Sequence, residues 1–405
     1  MAITRSLGKS GHWIAVGAET RTSLAGASKY CAESFTYDSP FRSIKAAAQQ
    51  LSREVMRRNI ACLIPAADVS LIPILTHQET LFNGVSIPYP PLQIALQASD
   101  KRFLFPLAQK CGVPIPRTIY CDQPVRPGDI YSQISSFPVI VKSARSLFVE
   151  ADRLVHGGVS CVSSREELRR LLAAKDYLHR HSFLVQERIF GTGMGYFVLL
   201  HQGKPLAEFS HRRIREKPPA GGVSVYSEST PLRSDIREFS LKLLNSLAWS
   251  GIAMVEFKLD RRTNLPMLME INGRFWGSLQ LAIDAGIDFP TLLVNSISNG
   301  AEQRPQVFYK PYIRWRWLLG DLDNMLLRCL KPDKSLSLPP LFPSRPRTVM
   351  QFLSAFGRRH TGYDTLDRSD MRPFLFELRS YLNQLSHDRT NDNASPLGIE
   401  TTQQS

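Results

Sequence analysis

Glu256 and Glu270 lie in two strand-like runs, Ile252 to Asp260 and Pro266 to Asn272, joined by the polar stretch Arg261 to Leu265. Apolar runs bounded by turn residues in this way read as a β-hairpin. A symmetric turn pairs Glu256 with Glu270. Because side chains alternate faces along a strand, Met254, Glu256 and Lys258 then share one face, opposite Leu268, Glu270 and Asn272. Like charges facing each other across a ladder destabilise it unless something neutralises them. Lys258 on a solvent-facing hairpin is one means. A hard divalent cation held by Glu256, Glu270 and the Asn272 amide oxygen is another, and magnesium bound through one or two carboxylates completes its shell with water and substrate phosphates.

Other residues carry charge where chemistry needs it. Lys142 closes the strand-like Phe137 to Lys142, and a lysine ending a buried strand needs an anionic partner. The run His211-Arg212-Arg213-Ile214-Arg215-Glu216-Lys217 stands before a glycine pair, Gly221-Gly222. Alternation sends Arg213 to one side of a strand and Arg212 to the other, so at most half of the run points inward; a solvated charged face is the competing reading. Gly191, Gly193 and Gly195 open no helix after a strand, which argues against a dinucleotide fingerprint and for a flexible strand connection. His179 and His181 lack companions for a metal site, and no nucleophile motif has supporting context.

These residues need a scaffold. The 405-residue chain, 43% hydrophobic, is long enough for two or three domains. A net charge of +14 and a pI near 9.6 favour anionic partners without choosing among them. Six cysteines with no CxxC pair fit a reducing compartment, no stretch approaches the ~18 apolar residues of a membrane span, and the reading is cytoplasmic. The first part, Trp13 to Leu75, alternates short apolar runs (Trp13 to Val16, Ile60 to Pro65) with a helix over Ser43 to Asn59, which is α/β patterning. Asp100 reads as the cap of a helix ending near Cys111, and Ser164 to Lys175 as another helix. Strands follow at Phe183 to Ile189, Tyr196 to Leu200 and Pro205 to Ser210, then a helix over Asp235 to Trp249 that stops at Gly251. Beyond Phe308, Arg314-Trp315-Arg316-Trp317 reads as opening an amphipathic helix with its tryptophans inward and arginines outward. Pro339 to Pro346 reads as a linker, Val349 to Phe356 and Arg372 to Leu385 as helices, and His387 to Ser405 as a disordered tail.

In order and spacing, Asp100-Lys101, Val139-Ile140-Val141-Lys142, Val185-Gln186-Glu187-Arg188-Ile189, Val255-Glu256-Phe257 and Met269-Glu270-Ile271-Asn272-Gly273-Arg274 resemble the ATP-grasp superfamily, which includes carboxylate-amine ligases and biotin carboxylase. The resemblance implies an α/β chain. Its expected parts are a partial pre-ATP-grasp α/β domain over residues 1–98, an α+β ATP-grasp domain over 99–308 and a C-terminal helical extension over 309–386. The first domain is partial because the strand and glycine turn that precede the segment matching Ile3 to Gly8 in relatives have no counterpart.

By the same likeness, Lys101 and Lys142 hold phosphate; Gln186, Glu187 and Ile189 form the adenine and ribose hinge; and Glu256, Glu270 and Asn272 hold magnesium or manganese. Arg274 reaches a developing acyl phosphate and Arg213 serves as an active-site cation, with Arg212 and His211 as weaker candidates. Gly277-Ser278, opening a helix through Ala285, add amides to the anion site. The implied activity is ATP-dependent joining of a small-molecule or peptide carboxylate to an amine, with no nucleic-acid partner; a homodimer is left open. The alternative is an inactive nucleotide-binding relative whose basic surface recruits an acidic partner. The loop Ser143 to Val155 lacks the dense glycines that cover phosphates in many relatives.

Overall fold

The computed structural model describes residues 1–123, 127–298 and 308–388. Its strands, in chain order, are β1 (Ala15–Ala18), β2 (Glu33–Thr36), β3 (Thr118–Cys121), β4 (Val139–Ser143), β5 (Leu147–Glu150), β6 (Arg153–His156), β7 (Val159–Val162), β8 (Phe183–Glu187), β9 (Gly191–His201), β10 (Lys204–Lys217), β11 (Val223–Ser229), β12 (Gly251–Asp260), β13 (Pro266–Asn272), β14 (Arg314–Arg316) and β15 (Thr361–Tyr363). A seven-stranded sheet has the order β13-β12-β9-β10-β11-β14-β15, and a four-stranded sheet has the order β3-β8-β4-β7. The pairings in both are antiparallel except β14 with β15.

Alternation along the large sheet separates two cores. Tyr196, Val198, Leu200, Val255 and Phe257 face one side and pack with the helices Lys101–Lys110 and Ser234–Ser246. Phe197, Phe209, Met254, Trp276 and Trp315 face the other. Glu256 pairs with Glu270 and Met254 with Asn272, but a bulge follows Glu256, so that Phe257 pairs with Leu268 and Lys258 with Met267. The expected symmetric ladder therefore holds on only one side of the glutamates. The extra residue, Met269, lets Leu268 turn into the core beside Phe257, fully buried, instead of sharing the face of Glu270.

The glycine run is not a flexible connection. Gly191 to Gly195 are the first five residues of β9, paired along their whole length with β12. A Cβ on Gly191 would stand 1.8 Å from the Leu259 carbonyl oxygen, and one on Gly193 would stand 2.9 Å from the Arg213 side chain. These glycines serve close approach.

Other expectations shift in detail. Ser43 caps the helix Ile44–Arg57 and Asp100 caps Lys101–Lys110, each side chain accepting a backbone N–H. Ile60 to Pro65 forms only a single bridge, Cys62 to Ser86, and β1 and β2 form a two-stranded parallel sheet. Residues 143–155 hold most of the hairpin β5-β6, whose Leu147 and Leu154 pack on Ile44 and Ile72. Arg314 to Arg316 is a strand rather than the opening of a helix, which begins at Leu318. Trp315 is buried as expected, whereas Arg316 points inward too, fully buried, with its Nε 2.6 Å from Asp321. The segment beyond residue 308 thus extends the large sheet by two strands as well as adding helices Leu318–Leu330, Arg345–Ser354 and Arg372–Asp388. Past Asp388 the polar tail lies outside the described residues. Among the described residues, no helix is long and apolar enough to cross a membrane.

The inward turn of Leu268 has a measurable consequence. Leu268→Ala should lower the unfolding free energy by about 2–5 kcal/mol in urea titrations, as for other buried leucines. A loss below about 1 kcal/mol, as for a surface residue, would contradict the bulged register.

Candidate active site

The facing glutamates are partly exposed, Glu256 at 15% and Glu270 at 34%, and their neighbours decide their charge. Glu256 Oε2 accepts from Arg213 Nη2 at 2.5 Å. The guanidinium reaches it by crossing β9 at Gly193, where any side chain would block the path. Arg213 Nη1 also donates to Glu216 Oε1 at 2.9 Å and to the Gly222 carbonyl at 3.0 Å. Glu270 Oε2 lies 3.3 Å from Lys101 Nζ, and its Oε1 accepts from Asn272 Nδ2 at 3.1 Å. Lys101 is the first residue of its helix, and its backbone N–H donates to Ala144, which ties it to the end of β4. Lys142, on β4, is buried against the Phe105 ring and within the field of both glutamates. Lys258 Nζ reaches the Ile189 carbonyl at 3.5 Å.

The two carboxylates differ in consequence. Burial pushes Glu256 up, against the pull of Arg213 and with the repulsion of Glu270 added. Burial pushes Glu270 up as well, but Lys101, the Asn272 hydrogen bond and Lys142 outweigh it and hold the carboxyl at about 2. Desolvation and the nearby Lys101 lower Lys142 to about 7, and the glutamates offset only part of that. Arg213 is raised by Glu256 and Glu216 in spite of its burial.

The remaining sequence candidates take other positions. Glu187 accepts from Arg262 at 2.6 Å, and Gln186 is buried with its amide donating to Thr118, so its side chain faces β3. Ile189 is buried just past β8, with its carbonyl toward Lys258. Arg274 Nε donates to Asp68 Oδ2 at 3.0 Å, which ties the strand end to the helix Asp68–Thr76. Arg212 points away from the glutamates and pairs with Glu228. His211 is buried against Phe197, with Nδ1 3.3 Å from Ser278 Oγ and Nε2 without a partner among the described residues; burial lowers it to about 3, so it is neutral. The helix after Gly277-Ser278 spans only Leu279–Ala285.

Sequence reasoning missed Glu216, Asp68 and Arg262. Glu216 follows Arg213 by one short stretch of strand and was legible as its neighbour, whereas Asp68 has no local signal at all. Among the described residues no group of three or more His, Cys, Asp and Glu side chains converges. The oxygen donors at the hairpin are two carboxylates and one amide. That set suits magnesium, which binds through one or two carboxylates and keeps water and phosphate in its remaining positions.

A sequence model of ATP-grasp proteins, described as ATP-grasp in the biosynthetic pathway with Ter operon, matches residues 208–318. Several solved structures are similar in fold. N5-carboxyaminoimidazole synthetase from Staphylococcus aureus aligns with a TM-score of 0.61 and 15% identity over 81% of each chain. The biotin carboxylase domain of 2-oxoglutarate carboxylase from Hydrogenobacter thermophilus, in complex with MgADP, ADP and bicarbonate, aligns at 0.57 and 14% over 77% of this chain and 69% of that one. An L-amino acid ligase from Bacillus licheniformis aligns at 0.56 and 17% over 75% and 74%. No curated protein matches. The chain has the ATP-grasp fold and is related to that superfamily.

The lowered Lys142 sets a sign for pH. Between about pH 7 and the ordinary lysine value of 10.5, the unfolded chain keeps a proton that the folded chain has released. The unfolded state therefore binds more protons there, and this residue's contribution makes stability rise with pH. Thermal unfolding from pH 7 to 10 should show that rise in the wild type relative to Lys142→Met; parallel pH profiles for the two proteins would contradict it.

Proposed function

We propose that this chain is an ATP-dependent, magnesium- or manganese-requiring ligase that activates a carboxylate as an acyl phosphate and joins it to an amine. The observation that carries the reading is the hairpin face on which Glu256, Glu270 and Asn272 stand together, ringed by Lys101, Lys142 and Arg213. The likeness to an L-amino acid ligase and to a carboxylase domain holding MgADP supports it.

In this reading the ATP phosphates lie between the β4-β8 sheet and the β12-β13 hairpin, and Gln186, Glu187 and Ile189 border the adenine end. Lys142 sits near neutrality in the free chain, and triphosphate oxygens would favour its charged form, so it meets them as a compact ammonium beside Lys101. A divalent cation on Glu256, Glu270 and Asn272 would supply charge neutralisation for the phosphates. A substrate carboxylate oxygen attacks the γ-phosphorus, the bond to the β,γ-bridging oxygen breaks, and ADP leaves. The amine nitrogen then attacks the acyl carbon and inorganic phosphate departs, while the amine proton passes to solvent or phosphate.

No protein nucleophile is required. Arg213, drawn from Glu256 toward the anionic acyl phosphate, and Arg274 orient and neutralise; holding reactants together is worth about 7–11 kcal/mol in favourable cases. Glu270→Gln should keep the fold and lose roughly 100-fold or more of magnesium-dependent phosphate release, measured with pooled carboxylates crossed with pooled amines. Full activity in that variant would refute the assignment. ADP binding without any carboxylate- and amine-stimulated phosphate release would favour a binding-only relative.

A further inference from the structure

Strand alternation leaves half of the β10 arginines unused by the site above. Arg213 faces the hairpin glutamates, and Arg212 faces the reverse of the sheet. There Arg212, Glu228 and Arg314 stand in register across β10, β11 and β14. Glu228 is buried, and both its oxygens are taken: Oε2 by Arg212 Nε and Nη2 at 3.0 and 2.6 Å, and Oε1 by Arg314 Nη2 at 2.7 Å.

One buried carboxylate thus orients two guanidinium forks, and among the described residues neither Arg212 nor Arg314 forms a second ion pair. Both side chains remain open, at 51% and 26% exposure. They line a groove of about 430 Å³ between the sheet and the helix Arg345–Ser354, together with Arg215, Tyr226 and Arg358; Arg213 also borders it, with its guanidinium turned to Glu256. Arg215 is satisfied by Asp321 and lies 4.5 Å from the Tyr226 ring centroid. Arg358 has no ion-pair partner among the described residues.

Two arginines therefore share one carboxylate, with Arg358 beside them, in a groove of metabolite size, and two forks are held in place before any ligand arrives. We propose that this groove binds a small multivalent oxyanion, a molecule bearing two or more carboxylate or phosphate groups, at a site on the opposite face of the sheet from the nucleotide. A surface kept basic only for solubility would not need a buried glutamate to aim two forks at one place.

The experiment is calorimetric titration of the full chain with citrate and with tripolyphosphate, at an ionic strength of about 0.15 M so that diffuse attraction is screened. Saturable binding of one probe is expected in the wild type, and its identity separates carboxylate from phosphate chemistry. Arg358→Glu should weaken it at least tenfold. Arg170→Glu, the same charge change on an exposed helix elsewhere, should leave it unchanged, as should Lys142→Met on the nucleotide face. No saturable binding of either probe overturns the proposal. So does equal weakening in Arg358→Glu and Arg170→Glu, or loss confined to Lys142→Met.

Discussion

Two carboxylates stand face to face on neighbouring strands, and the molecule is arranged around the charge this demands. Without cations nearby, both would take up protons. The protein instead supplies Arg213 from one side and Lys101 from the other, from elements far apart in sequence. The supply is unequal: Glu270 is held firmly ionised, while Glu256 is pushed toward its neutral form by burial. A site of this kind favours whatever brings further positive charge to Glu256. It equally favours whatever brings negative charge to the lysines, because Lys142 is held near neutrality by the same crowding.

That constraint explains local features with no other evident purpose. Gly193 leaves the path along which Arg213 crosses β9. The bulge after Glu256 keeps the glutamates paired while Leu268 fills the core behind them. The tip of β10 is gripped by the helix Leu318–Leu330: Asp321 takes Arg215, Asp323 takes Lys217, and Asn324 donates to the Glu216 carbonyl. The chain beyond residue 308 therefore fixes the strand that delivers Arg213, and it also walls the groove on the reverse face.

The hairpin was legible because turn length and alternation are local properties, and they put Glu256 opposite Glu270 without knowledge of the rest. The bulge was not, since Leu268 turns inward for the sake of a core built by distant residues. The glycines of β9 carry no side-chain pattern, so close approach to Leu259 and Arg213 could not be told from flexibility. Arg314 to Arg316 looked amphipathic, and only the edge of β11 made it a strand; Arg316 is buried because Asp321, five residues on, meets it inside. Asp68 reached Arg274 through tertiary packing alone. Charge run and strand period together did show that Arg212 and Arg213 must part.

The most direct measurement is a crystal of the full chain grown with manganese and ADP, in which anomalous scattering locates the ion. The expected result is a peak within coordination distance of both Glu256 and Glu270, with Arg213 withdrawn from Glu256. Manganese bound elsewhere, with Arg213 and Lys101 still paired to the two carboxylates, would contradict it.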